Sequence, residues 1–333
     1  MMIHGHIAEA LSRPALIRGS ERRYLLRFES MKVASARAAL REALAAGRVR
    51  PGGTVIDSSS GIYAYALALA CHEAGVRCRI IGSTTIDEGL RIQLLALGVE
   101  LEQMPPSASL KLDQDRRVRR ITELLADDPS LHWMRQYHDP VHYLGYREIA
   151  RGAAAELAAE GVVTVRLVAP VGSGVSSGAL RLGLEEAGMA VELVGVQPFG
   201  SVTFGSEHVD DPAMLIAGIG SSIPFANVRH GLYDVIHWVS FDVARAGTHR
   251  LLRQHALFAG LSSGAGHVAA DYEQDHGAPV DATVQVLPDT GHRYQAALAG
   301  DGPVEPEPPL LVDDPAEIAL PWSRMRWAGR AGR

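Results

Sequence analysis

The sequence predicts an α/β protein with parallel strands, on three observations. Short apolar runs alternate with segments of helical spacing along most of the chain. The apolar runs give way to turns of glycine and serine. Helical segments stop at Gly75, Gly98 and Gly188, where a left-handed C-cap is expected. Strand, small-residue turn and helix in repetition is the pattern of βα units in a parallel sheet.

In chain order, Ala34–Ala46 has helical spacing, and Thr54–Asp57 is the first apolar run, leading into a helix over Tyr63–Ala74. Arg77–Ile81 and the helix Glu88–Leu97 repeat that unit. Gln103–Asp115 is polar, contains Pro105 and Pro106, and reads as a surface loop before an arginine-rich helix. The alternation resumes with strand Val165–Ala169, helix Ser177–Ala187 and strand Glu192–Val196, and continues with helix Val243–Leu257 and strand Thr283–Leu287. Asp301–Glu317 is too rich in proline and acidic residues for a regular element and reads as an arm. The tail after it is basic and aromatic, with Trp322, Arg324, Arg326 and Trp327, and is expected to dock on the body or on a partner subunit.

The 333 residues are 47% hydrophobic and 21% charged, with a formal net charge of −6, which gives no reason to expect a nucleic-acid partner. Arg116, Arg117, Arg119 and Arg120 form a local basic run, read as a solvated helix face in preference to an anion site. No apolar run reaches the roughly 18 residues that span a bilayer. The first residues lack the basic start and apolar core of a signal peptide, and Cys71 and Cys78 suggest no metal site, so a reduced, cytoplasmic setting is expected. Of 32 basic residues only Lys32 and Lys111 are lysines, so chemistry that needs a primary amine has two candidates.

Three turns offer chemistry. Asp57-Ser58-Ser59-Ser60-Gly61 precedes a helix, where unpaired N–H groups and the helix dipole favour a carboxylate or phosphate; an ordinary N-cap is the plainer alternative. Gly172-Ser173-Gly174-Val175-Ser176-Ser177-Gly178 follows a strand and suits a phosphate monoester. It also resembles a dinucleotide fingerprint, with Glu192 as the ribose acid, but the spacing is GxGxxxG and Glu192 opens its strand. Gly260-Leu261-Ser262-Ser263-Gly264 is formally a nucleophile elbow, with Asp289 and His292 in hydrolase order. An elbow needs a strand before the serine, whereas a helix is expected there. His138 and His142 lie four apart with Pro140 between them and no acidic partner of the zinc-protease kind, so no metal is expected.

Four ordered stretches unite these turns: Ser30-Met31-Lys32, Ser59-Ser60-Gly61, Gly172–Gly178 and Pro288-Asp289-Thr290-Gly291-His292-Arg293-Tyr294. With Gln136-Tyr137-His138-Asp139-Pro140 and Ile223-Pro224, they resemble the cysteine-synthase and cystathionine β-synthase branch of the fold type II, tryptophan-synthase-β-like pyridoxal-phosphate enzymes. The likeness runs over roughly residues 14 to 298 and is specific as an ordered set.

That resemblance implies two three-layer αβα domains with twisted, mostly parallel sheets and pyridoxal 5'-phosphate in the cleft between them. The smaller domain would be 33–145, the larger 1–32 with 146–300, and 301–333 the C-terminal arm. Lys32 would carry the cofactor. Gly172, Ser173, Gly174, Ser176, Ser177 and Gly178 would hold its phosphate, with Thr290 at the pyridine nitrogen. Ser58, Ser59, Ser60, Gly61, Ile62 and Gln136 would surround the substrate carboxylate. Ile62 stands where relatives carry an asparagine, and is expected either to border the cofactor or to enter the core. The implied reaction is β-replacement on acetyl- or phosphoserine through an aminoacrylate, with a thiol or amine nucleophile, in a homodimer. β-Elimination, and a cofactor-free paralogue acting as a binding subunit, are the alternatives.

Overall fold

The computed structural model describes residues 3–59, 61–84, 86–107, 110–213, 218–299 and 305–327. In chain order the elements are α1 (Ile7–Leu11), β1 (Ala15–Ser20), β2 (Arg23–Arg27), α2 (Lys32–Ala45), β3 (Thr54–Ser58), α3 (Ile62–Ala74), β4 (Arg77–Gly82), α4 (Glu88–Ala96), β5 (Glu100–Gln103), α5 (Leu110–Asp127) and β6 (His132–Trp133). They continue with α6 (Arg147–Ala159), β7 (Thr164–Pro170), α7 (Val175–Glu186), β8 (Ala190–Pro198), β9 (Val235–Val239), α8 (Phe241–His255), α9 (Leu261–His276), β10 (Ala282–Leu287), α10 (Gln295–Leu298), β11 (Leu310–Leu311) and β12 (Trp322–Arg326). Among the described residues no helix is long and apolar enough to cross a membrane.

The chain divides into two compact units, Met1–Arg13 with Ser30–Gly145, and Pro14–Glu29 with Tyr146–Arg333. The first holds a parallel sheet in the order β5-β4-β3-β6. Alternation along its strands builds three layers. Val55 and Ile80 face a core shared with α2 and α3, rich in small residues such as Ala36, Ala39, Ala64 and Ala68. Their neighbours Ile56 and Ile81 face the other way, onto Ile121 and Leu124 of α5. Helix α5 begins inside the stretch expected to be a loop, because the apolar positions Ile121 and Leu124 and their stripe cover a strand face that would otherwise meet water.

The second unit holds a sheet in the order β1-β2-β10-β7-β8-β9-β12-β11. β2, β10, β7, β8 and β9 run parallel, while β1 runs antiparallel to β2 and β12 antiparallel to β9. Val168, Val194, Val196 and Val235 pack against Val243, Leu261, Ala265 and Val268 of α8 and α9. The tail docks on this unit as β12, one residue of which, Trp322, joins the same core. Leu310–Leu311 forms a short strand within the arm expected to be irregular, paired with Ser323 and Arg324.

A buried charge network fastens β12. The Trp322 indole N–H donates to His237 Nδ1 at 3.0 Å, so His237 carries its hydrogen on Nε2 and donates it to Glu273 Oε1 at 2.8 Å. Arg324 adds a two-pronged pair, Nε to Oε1 at 2.5 Å and Nη2 to Oε2 at 3.1 Å. Burial pushes the Glu273 carboxyl up, but the bonds from His237 and Arg324 outweigh it and hold it at about 2. Burial lowers His237 and keeps it neutral. A depressed carboxyl stabilises the fold above its ordinary pKa of 4.5 and loses that contribution as pH falls toward 2. A buried neutral histidine adds a loss in the same direction. Glu273→Gln removes one charge of the buried pair, at a cost of about 3 kcal/mol. Its melting temperature should drop at neutral pH and then fall less steeply than wild type in acid. Circular dichroism melts across that range check both; parallel curves for the two proteins would contradict the account.

Candidate active site

In the first unit the end of β3 is held by Asp57, buried at 1% exposure. Its Oδ1 accepts from Ser58 N at 2.7 Å and Trp133 Nε1 at 3.0 Å, and its Oδ2 accepts from Gln136 N at 3.1 Å. Burial raises the carboxyl to about 6 against these donors. Gln136 is buried as well, and its amide donates to the Ser58 carbonyl at 3.1 Å. The chain turns back to make this contact at Arg135, which takes a left-handed φ of 52°, a conformation costly for a non-glycine residue and concentrated at functional sites. Ser58 and Gln136, 78 residues apart, are thus brought together.

Ser59 is buried, and its hydroxyl accepts from Gly61 N at 3.4 Å. Gly61 is the extended N-cap of α3, whose first-turn N–H groups have no carbonyl partner inside the helix. Ser60 lies outside the described residues. Ile62 is half-buried; Tyr63, at 2% exposure, is the residue that enters the core. Lys32 is half-buried at the first position of α2, and Ser35 Oγ donates to its carbonyl at 3.1 Å. Nearby, His142 bonds the Met134 carbonyl through Nε2 at 2.9 Å; burial, and then the charge of Lys32, lower its pKa.

One functional candidate escaped the sequence reading. Arg117, expected on a solvated face, is only 5% exposed; Arg116 and Arg120 are half-buried, and Arg119 is the exposed member of the run. Its Nε donates to Asp113 Oδ2 at 2.8 Å and its Nη1 to Ser58 Oγ at 2.6 Å. The helical spacing of Asp113 and Arg117, four apart, was the available signal.

In the second unit β7 and β10 are parallel neighbours, so the turns after them leave the same sheet edge, the edge where ligands bind in open α/β sheets. After β7, Gly174 takes φ +77° and caps α7. A Cβ there would sit 2.7 Å from Val228 Cα and 2.8 Å from the Asn227 carbonyl oxygen; one on Gly172 would sit 2.3 Å from the Gly218 carbonyl oxygen. The turn is therefore pressed against residues 218–228 by its own backbone, and only glycine fits. Ser173 and Ser176 are half-buried. Ser177 is fully buried, its hydroxyl 2.7 Å from that of Tyr233, so what it offers a ligand is its backbone N–H. After β10, half-buried Thr290 bridges to Ala259, and Tyr294 Oη donates to Asp289 at 2.9 Å.

The rival readings lose their geometry. Glu192, the supposed ribose acid, pairs with Arg166 at 2.5 Å. Ser262 and Ser263 are buried in the first turn of α9, after helix α8 and not on a strand-to-helix elbow.

The second unit thus has a glycine-held turn at a helix N-terminus, and the first a turn tied to a glutamine and a half-buried lysine. The chain belongs to the pyridoxal-phosphate dependent enzyme family, whose model matches residues 22–289, and it is an enzyme that uses that cofactor. It is 34% identical over 280 residues to N-(2-amino-2-carboxyethyl)-L-glutamate synthase of Ralstonia nicotianae, covering 82% of this chain and 79% of the relative. It is 27% identical over 266 residues to cysteine synthase of Staphylococcus aureus, covering 80% and 83%. Among solved structures, O-ureido-L-serine synthase superposes with a TM-score of 0.76 at 22% identity, over 89% of this chain and 94% of that one. The O-acetylserine dependent cystathionine β-synthase from Helicobacter pylori gives 0.75 at 22%, over 89% and 98%.

The Asp113–Arg117 pair makes a stability prediction. Arg117→Met leaves a buried carboxylate uncompensated and should cost roughly 3–5 kcal/mol. Adding Asp113→Leu should restore most of it, measured by urea unfolding; a double variant no more stable than the single one would refute the pairing.

Proposed function

We propose that the protein carries out β-replacement on an O-activated L-serine, with Lys32 as the residue that holds pyridoxal phosphate. The observation that supports this best is the joining of Gln136 to Ser58 beside the N-terminus of α3, a seat for the α-carboxylate of an amino acid. The turn Gly172–Gly178 would hold the cofactor phosphate through Ser173, Ser176 and the N–H groups of α7, and Thr290 would meet the pyridine nitrogen. Bound pyridoxal phosphate supplies an electron sink for the pair left at the α-carbon. Lys32 Nζ takes the α-proton as general base. Ser59, Gly61 and Gln136 fix the carboxylate, which orients the α-hydrogen and the β-carbon. The bond from the β-carbon to oxygen breaks, releasing acetate or phosphate; a thiol or amine, losing its own proton, then bonds to the same carbon, and Lys32 Nζ returns a proton to the α-carbon.

Arg117, its charge met by Asp113, donates Nη1 to Ser58 Oγ and so holds that serine beside the seat. The name N-(2-amino-2-carboxyethyl)-L-glutamate synthase describes a glutamate whose nitrogen bears a 2-amino-2-carboxyethyl group, and an amine nucleophile of that kind is part of this reading. A homodimer of this chain is part of the same reading and is checked by light scattering.

Lys32→Ala should abolish the visible absorbance of the bound cofactor and all turnover, while Lys111→Ala leaves both nearly unchanged. A borohydride-reducible adduct in the Lys32 variant would exclude this assignment. With acetylserine and phosphoserine supplied in turn, mass spectrometry should find a β-substituted alanine when sulfide or glutamate is added. Pyruvate and ammonia as the only products would mark the reaction as elimination instead. Gly174→Val should weaken cofactor binding by an order of magnitude or more, read by titrating the apoprotein; an unchanged Kd would displace the phosphate from this turn.

A further inference from the structure

We propose that the C-terminal strand and Tyr233 form a positioning device for the phosphate-binding turn, an inference that rests on the placement of the phosphate at Gly172–Gly178. The two hydroxyls of Tyr233 and Ser177 are 2.7 Å apart and buried. Ser177 Oγ also lies 3.3 Å from the Gly174 carbonyl, toward which it donates. A serine hydroxyl has one hydrogen, so both bonds exist together only when Tyr233 is the donor to Ser177. The result is a relay from Tyr233 to Ser177 to Gly174, the left-handed residue that caps α7.

The next residue extends the grip. Asp234 Oδ2 pairs with Arg181 Nη1 at 2.6 Å and accepts from Leu193 N at 2.8 Å. Ser177 and Arg181 are one helical turn apart on α7, so two consecutive residues hold the inner stripe of that helix. Tyr233 itself is clamped. Its ring lies over Gly195, where a Cβ would come within 2.8 Å of Cδ1. Phe204 packs edge-on to it at 4.9 Å between centroids, and Trp327 packs edge-on to Phe204 at 5.0 Å. Trp327 follows β12, and its N–H donates to the Asp234 carbonyl at 2.8 Å. Residues nearly 150 positions after Ser177 therefore fix the tyrosine that sets the turn.

Ligand affinity of the full-length apoprotein separates positioning from general support. Tyr233→Phe keeps the ring and removes the donor. It should weaken pyridoxal phosphate roughly five- to tenfold, weaken inorganic phosphate in parallel, and leave pyridoxal, which lacks the phosphate, within about twofold. Trp327→Ala should act in the same sense and less strongly. An unchanged Kd for pyridoxal phosphate in Tyr233→Phe would overturn the inference, as would an equal loss for pyridoxal, which would mean a loosened unit and not a displaced turn. Gly174→Val in the same assay tells the two ideas apart. If it too leaves pyridoxal phosphate affinity intact, the phosphate placement fails and the relay with it; if only Tyr233→Phe is silent, the placement stands and the relay alone is lost.

Discussion

Parallel strand direction governs where everything else can be. When neighbouring strands run the same way, each must be followed by a crossover, and the start of every crossover falls on one edge. The first unit obeys this with the turn after β3 and the segment after β6, which is why Gln136 reaches Ser58. The second unit obeys it with the turns after β7 and β10. Helix N-termini with unspent N–H groups gather on the same edges, so anion binding comes with the topology.

What the topology does not supply is provided by buried polar groups, each with a defined partner set. Asp57 spends both oxygens on backbone and indole donors and so fixes a turn without a side-chain ligand of its own. Arg117 is tolerated in the interior because Asp113 neutralises it and Ser58 takes a further hydrogen. Glu273 does the corresponding work far along the chain, where two partners from β9 and β12 compensate its burial. Removing one partner of such a pair costs more than the intact pair contributes, because a buried charge is left without compensation.

Most of the central strands and helices could be read from periodicity, because burial on both faces produces mainly apolar runs such as Val165–Ala169 and Thr283–Leu287, interrupted only by Arg166, Thr283 and Gln285. The edges could not. β1 alternates exposed and half-buried residues, and β12 reads as a basic, aromatic tail because its Arg324 is drawn inward by a glutamate 51 residues away. Arg117 was hidden for a similar reason: a run of four arginines resembles a solvated face until the strand beneath is known. The glycine-rich turns were legible as turns because glycine has few other uses at a strand end. That Ser177 faces Tyr233 was not, since the partner lies 56 residues away.

The pairing of β2 with β10 carries a consequence for synthesis. Arg23–Arg27 lies against Thr283–Leu287, so the second unit holds one of its inner strands from the first tenth of the chain and cannot complete its sheet until nearly the whole chain has left the ribosome. The first unit draws on nothing beyond Gly145. During translation the nascent chain therefore carries a unit able to fold early beside a strand with one edge open, waiting through more than two hundred residues for its neighbour. Arg23 and Arg27 flank the apolar Tyr24-Leu25-Leu26, and β1 pairs with it as a local hairpin. That hairpin covers one edge from the outset and leaves the other to be shielded by charge until β10 arrives.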